Sequence, residues 1–389
     1  MKTYKWFFLV LVSGILFSCG GTSEEELVGD WQRRAVFSGS GRSFAATFVI
    51  GNKGYVCGGW NGQKVRRKDA YVFDHTGGGG KGSWWQVNDF PGAGRSHAVG
   101  FSIGDYGYVG TGWDGDETDM KDFWRYDPNH YDSEGEEIGE WTEVAPLPEK
   151  AYPRRGALAF SLTVGGKEYG YVGFGFYDGP LDRLFLNDIW QFDPDGTTTV
   201  TAEVEGVQVT RTLPGRWTAV TGYGGDKREG ATAFVIDNKA YISSGKSSSY
   251  PVNEFWVYDP NGAASEREAW STDPPRKMSD SNPDEDYDDD YGGLARSYGV
   301  AYVASVGGQL RGHIVGGDRN SNWEYDHDND LWIQRTQFYN HRSGSTREGM
   351  VSFSFPSGRA FAGMGKGGTT HNEDMWEFIP LIDDDVYND

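Results

Sequence analysis

The chain has 389 residues, among them 57 glycines, with a hydrophobic share of 37% and an aromatic share of 15%. Its formal charge is −21, from 57 acidic and 36 basic side chains. A surface this acidic repels phosphate backbones, which argues against a nucleic-acid partner.

Residues 1–18 read as a signal peptide. Lys2 and Lys5 make a basic start, and Trp6 to Phe17 an apolar core too short to span a bilayer stably. The core ends Leu16-Phe17-Ser18-Cys19-Gly20, which resembles a bacterial lipobox, with Phe17 where that family has a small residue. The resemblance implies cleavage before Cys19 and lipidation of Cys19. Ordinary cleavage that leaves a spare cysteine is the other reading. Residues 19–29 then form an acidic linker. Its run Thr22-Ser23-Glu24-Glu25-Glu26 is similar to the surface-export signal of some Gram-negative lipoproteins, or is a solvated spacer. The expected location is the outer membrane, surface-exposed, or else facing the periplasm. The membrane is then a partner through the lipid. The one other cysteine, Cys57, reads as a small core residue, and with Cys19 lipidated no intramolecular disulfide can form.

Residues 30–380 repeat one unit six times, and residues 381–389 form an acidic tail. Each unit opens with an arginine and a strand of small apolar residues. An aromatic-apolar strand ending in glycines follows, then a polar loop, a strand reading aromatic-x-aromatic-Asp, and a Trp strand. The opening arginines are Arg42, Arg95, Arg155, Arg228, Arg296 and Arg347. The second strand is clearest at Gly54-Tyr55-Val56-Cys57-Gly58-Gly59 and at His313-Ile314-Val315-Gly316-Gly317. The third strand runs from Tyr71-Val72-Phe73-Asp74 to Trp376-Glu377-Phe378, and the fourth carries Trp84 or Trp85, Trp141, Trp217, Trp270 and Trp332. The last unit lacks a Trp strand, and a spare one, Asp30-Trp31-Gln32-Arg33-Arg34, precedes the first. The predicted fold is therefore all-β, a six-bladed β-propeller whose ring is closed by the N-terminal strand.

The paired glycines with spaced Tyr and Trp resemble the Kelch family over nearly the whole chain after the signal peptide. Blades four to six depart from it, with Ser243-Ser244 and Gly363-Met364-Gly365 in place of paired glycines. The resemblance implies a Kelch-type propeller, a fold shared by binding modules and enzymes.

In an up-and-down meander the opening arginines and the loops after the glycines fall on one rim. The chain enters from the other face, so a lipid anchor and the arginine rim lie on opposite sides. Three rim features invite a function. The arginines could clamp a carboxylate or acidic sugar, or pair with carboxylates and carbonyls between blades. Trp60, Trp113, Phe176 and Tyr177 could stack on sugars or anchor a protein, or pack loop against loop. Residues 279–291, with Asp280, Asp284, Glu285, Asp286, Asp288, Asp289 and Asp290, could bind calcium or be a solvated insertion. On the opposite face, residues 197–212 alternate around Gly206 as an extended hairpin.

Two enzyme resemblances remain. The galactose oxidase-like proteins need a copper site of clustered Tyr, His and Cys. Here His75, His97, His130, His313, His327, His341 and His371 are scattered, so no metal or other cofactor is expected. The sialic acid epimerase-like propellers share blade number and a ring of arginines. That likeness would make Glu229 and Glu348 the acid–base pair of a mutarotase. The favoured expectation is a binding module without catalytic residues, for a glycan or a protein.

Overall fold

The computed structural model describes residues 27–204, 206–271, 276–277, 293–338 and 346–383. Cys19 with the signal peptide and most of the linker, the acidic stretch 279–291, His341 and the end of the tail lie outside them.

The body is six antiparallel meanders. Blade one is Ala46–Ile50, Lys53–Cys57, Ala70–Asp74 and Ser83–Val87, and blade two is Val99–Ile103, Tyr106–Gly110, Phe123–Asp127 and Glu140–Val144. Blade three is Leu158–Val164, Lys167–Gly173, Ile189–Val204 and Val207–Val220. Blade four is Glu229–Ile236, Lys239–Ser247, Glu254–Tyr258 and the short Arg276–Lys277. Blade five is Gly299–Val306, Gln309–Gly316, Asn322–Asp326 and Leu331–Arg335. Blade six has Val351–Ser354, Ala360–Gly363 and Met375–Asp383, and its outer strand is Val28–Arg33 from the far end of the chain.

The N-terminal strand thus closes the ring, with Trp31 opposite Phe378. Trp31 is buried, packs on Tyr302, Phe338 and Phe378, and donates its indole N–H to the Thr336 carbonyl at 3.1 Å. In blade four Trp270 takes its expected place from an isolated bridge to Tyr258 rather than from a strand.

The repeat has a packing reason. Across strands one and two, Phe48 stacks on Tyr55, Phe101 on Tyr108, Phe160 on Tyr171, Phe234 on Tyr241 and Tyr302 on His313. The glycine before the second-strand tyrosine makes room for the neighbouring blade. A Cβ on Gly107 would stand 2.1 Å from the Phe48 ring. The paired glycines do a different job. Gly58 and Gly59 have φ of 69° and 97° and swing the chain from the second strand into the rim loop. The strands Ile189–Val204 and Val207–Val220 stay paired to Val204 and Val207, which makes the long hairpin expected around Gly206.

Candidate functional site

The opening arginines face into their blades. Arg42, Arg95, Arg228, Arg296 and Arg347 are at most 4% exposed. Arg42 gives two bonds of 2.8 Å to Asp69 and one of 3.0 Å to the Gly58 carbonyl. Arg95 does the same with Asp122 and the Thr111 carbonyl, Arg228 gives one bond each to Glu254, the Tyr223 hydroxyl and the Ser244 carbonyl, and Arg347 reaches both Asp374 oxygens and the Met364 carbonyl through Nη1 alone. Each arginine staples the start of strand one to the end of strand two and the start of strand three. Burial works to raise the Asp69 carboxyl, but hydrogen bonds from Arg42 and Arg67 outweigh it and hold it at about 2.

Two details depart from the sequence reading. In blade three the staple is Arg154, bound to Asp188 and the Phe174 carbonyl, and not Arg155. In blade five the acid is replaced by Ser321. Arg296 bonds the carbonyls of Gly293, Leu294, Gly316 and Ser321 and the Ser321 hydroxyl, and burial pushes its guanidinium down to about 9. Of the two readings of the opening arginines, the hydrogen bonds are those of pairing with carboxylates and carbonyls rather than of an open clamp for an acidic ligand. Five of those arginines are sealed inside the blades, and Arg155 alone reaches the rim.

Two residues beyond each staple the chain turns left-handed. Phe44, His97, Gly156, Gly230, Tyr298 and Gly349 have φ between 55° and 63°. Each N–H donates to the matching carbonyl of the preceding blade: His97 to Phe44, Gly156 to His97, Gly230 to Gly156, Tyr298 to Gly230, Gly349 to Tyr298, and Phe44 to Gly349. These bonds, 2.8–3.1 Å long, form a closed ring across the channel mouth.

A side chain in this conformation costs about 1–2 kcal/mol, so glycine is the natural occupant. Three bulky aromatics sit there instead, and they meet over the axis. Phe44 stacks on His97 with centroids 3.9 Å apart, and Tyr298 meets both edge-on at 5.4 Å. The glycines leave the space they need: a Cβ on Gly349 would lie 2.5 Å from the Phe44 ring, and one on Gly230 3.0 Å from Tyr298. Burial and the charges of Arg155, Arg66 and Lys246 push the His97 imidazole down to about 3, so it is neutral. Tyr298 donates its hydroxyl hydrogen to Glu229, and burial followed by that carboxylate raises the phenol far above its ordinary range.

The residue between staple and ring is Ser43, Ser96, Arg155, Glu229, Ser297 or Glu348, and these surround the mouth. Their rim partners are, in turn, Trp60, Trp113, Phe176, Lys246, Asp318 and Lys366. The aromatic candidates therefore share the rim with Glu229 and Glu348, as strand direction predicts. Their rings are interleaved with cations. Trp60 has Lys366 and Arg66 within 5.3 Å of its centroid. Trp113 has Arg66 and Arg155 at 4.7 Å, and Phe176 has Arg155 and Arg183 within 5.5 Å. Tyr177 packs on Tyr152 at 5.0 Å. Arg155 is itself held by Asp178 at 2.9 Å and Asp119 at 3.5 Å.

The mouth residues missed in the sequence are Phe44, His97 and Tyr298. Their signal was present: the second residue after each staple is either glycine or an aromatic ring, with Phe44, His97 and Tyr298 against Gly156, Gly230 and Gly349. Behind the plug a cavity of about 590 Å³ runs down the axis, lined by small residues such as Ala45, Thr47, Ala98 and Ala231 and by no charged side chain. Among the described residues no group of His, Cys, Asp and Glu is placed to hold a metal ion. Cys57 is free and buried, and burial pushes its thiol up to about 12. No protein-family model matches the chain, and no curated protein matches it.

Proposed function

We propose that this chain is a Kelch-type propeller acting as a binding module, that its ligand sits on the aromatic-capped mouth, and that the ligand is a glycan. One observation carries the reading. Three of the six left-handed positions at the mouth hold Phe44, His97 and Tyr298 where glycine is cheaper by about 1–2 kcal/mol each. Other left-handed side chains are fully buried in the blades, as at Thr111, Phe174, Ser244 and Met364, or lie in turns, as at Asp237, Asn238, Ser248 and Asp330, whereas these three line the channel mouth, where strain points to a surface kept for a ligand. Flat rings ringed by hydroxyls, carboxylates and ammonium groups suit a sugar.

The anchor belongs to the same proposal. Cys19 carries a lipid and holds the protein at the outer membrane. The strand Val28–Arg33 begins on the face opposite the mouth, so the mouth points away from an upstream anchor. The experiment is saturation-transfer NMR of the purified protein against a panel of oligosaccharides, repeated on Tyr298→Gly. Binding lost in the variant supports the mouth. Binding equal in both moves the site elsewhere.

A protein ligand is favoured by a separate observation. Val65, Leu181 and Tyr250 are 75%, 95% and 77% exposed at the tips of rim loops. Exposed apolar tips around one rim are natural anchors for a partner protein. Replacing the three by Ser would abolish that binding and leave a sugar at the mouth untouched.

A further inference from the structure

The charges around the mouth are arranged in a way that selects a class of sugar. Glu229 lies across from Lys246 in blade four, with their charged atoms 3.6 Å apart, and Glu348 lies across from Lys366 in blade six. Tyr298 of blade five projects between the two pairs and bonds the first. The other mouth cations are similarly matched or enclosed. Arg155 is held by Asp178 and Asp119. Arg66 is 8% exposed, bonds the Ser96 hydroxyl and lies against Trp60 and Trp113.

The consequence is a mouth with no surplus of positive charge. A ligand carboxylate arriving at Lys246 meets Glu229 3.6 Å from the ammonium, and one arriving at Lys366 meets its cross-strand neighbour Glu348, and like charges brought together are penalised. A sugar hydroxyl has no such conflict. It donates to a carboxylate and accepts from an ammonium group in one contact, whereas the carboxylate only accepts and the lysine only donates. Two adjacent hydroxyls therefore complete a Glu–Lys pair without disturbing its balance, and the apolar face of the same ring meets Phe44, His97 and Tyr298.

We infer that the mouth recognises a neutral, hydroxyl-rich saccharide through the Glu229–Lys246 and Glu348–Lys366 pairs, and that it discriminates against sialic and uronic acids. This rests on the proposed function and narrows it. It also runs against the acid-sugar expectation, which depended on open arginines.

The test is titration calorimetry of the purified protein with two matched panels, neutral oligosaccharides and the same glycans ending in sialic or uronic acid. Each is measured at about 50 and 500 mM salt, since screening separates charge-driven from neutral binding. Neutral glycans should bind with affinities that change less than about twofold between the salts. The Glu229→Gln/Glu348→Gln variant should lose at least about tenfold for the neutral panel and gain for the acidic one, because it leaves both lysines unopposed. Thermal melting confirms that the variant is folded, and the single variants serve if the double is not. Tighter, salt-sensitive binding of the acidic panel to the unaltered mouth overturns this inference and leaves the glycan reading standing. Binding in neither panel overturns the glycan reading itself, and glycan binding that both Glu variants and Tyr298→Gly leave unchanged overturns this inference by moving the site away from the mouth.

Discussion

Arg154 holds Asp188 with two hydrogen bonds of 2.8 Å, and Arg155, next to it in the chain, takes no part in that pair. One of the two arginines is a staple sealed in blade three, and the other is a rim group on Asp178 and Asp119. The difference is measurable. Asp188→Ala leaves a fully buried guanidinium without its counter-charge and should cost about 3–5 kcal/mol. Asp178→Ala leaves Arg155 its second acid and should cost about 1 kcal/mol or less. Urea unfolding of the two variants checks the assignment, and equal losses would contradict it.

Blade five offers the converse. Ser321 stands where the other blades have the staple acid, two residues before the strand tryptophan. Ser321→Asp should give Arg296 a carboxylate and stabilise the protein by about 1–3 kcal/mol, the range for a hydrogen bond to a charged group. A melting temperature at or below that of the parent would show that the site cannot seat the acid.

These cases mark what was legible in the sequence. The propeller was, because Tyr71-Val72-Phe73-Asp74 and its copies repeat a local pattern that one blade geometry explains. Closure by Trp31 was, because a spare fourth strand has one vacancy to fill. The staples were half legible. Arg42 and Asp69, Arg95 and Asp122, and Arg347 and Asp374 share one spacing, but nothing local says that the guanidinium turns inward. In blade three two adjacent arginines made the register ambiguous. The mouth was hidden for another reason. A left-handed Phe44 or His97 reads as an ordinary strand residue until its backbone is seen bonding to the next blade.

Ring closure has its own test. Removing residues 1–26 leaves Val28–Arg33 intact, whereas removal through Arg34 strips blade six of its outer strand. Trp31→Ala alone should cost about 3–5 kcal/mol, as for other buried aromatics. Circular dichroism melts of the two truncations should differ by many degrees. Coincident melts would mean that the strand is dispensable.

Stability should fall in acid through the staples. Asp69 is held at about 2 in the folded protein, below the usual carboxylate value near 3.8. Its contribution is therefore present above pH ~4 and is lost as pH falls toward ~2. Asp122 and Asp188 are lowered in the same direction by their arginines, against burial. Asp69→Asn should be less stable than the parent at neutral pH, and the gap should shrink as the pH approaches ~2. A gap of constant size across that window would show that the Asp69 charge contributes nothing.

The central claim is that Phe44, His97 and Tyr298 are kept at the mouth for a ligand. Glycine at these positions relieves about 1–2 kcal/mol of left-handed strain each, which offsets much of the lost ring packing. The Phe44→Gly/His97→Gly/Tyr298→Gly protein should therefore fold with a melting temperature close to that of the parent. The decisive measurement is its affinity, by titration calorimetry, for the tightest-binding neutral oligosaccharide of the parent protein. The account predicts a loss of at least about a hundredfold, as expected when stacking rings at the centre of a site are removed. A folded triple variant that binds the same oligosaccharide as tightly as the parent would contradict it.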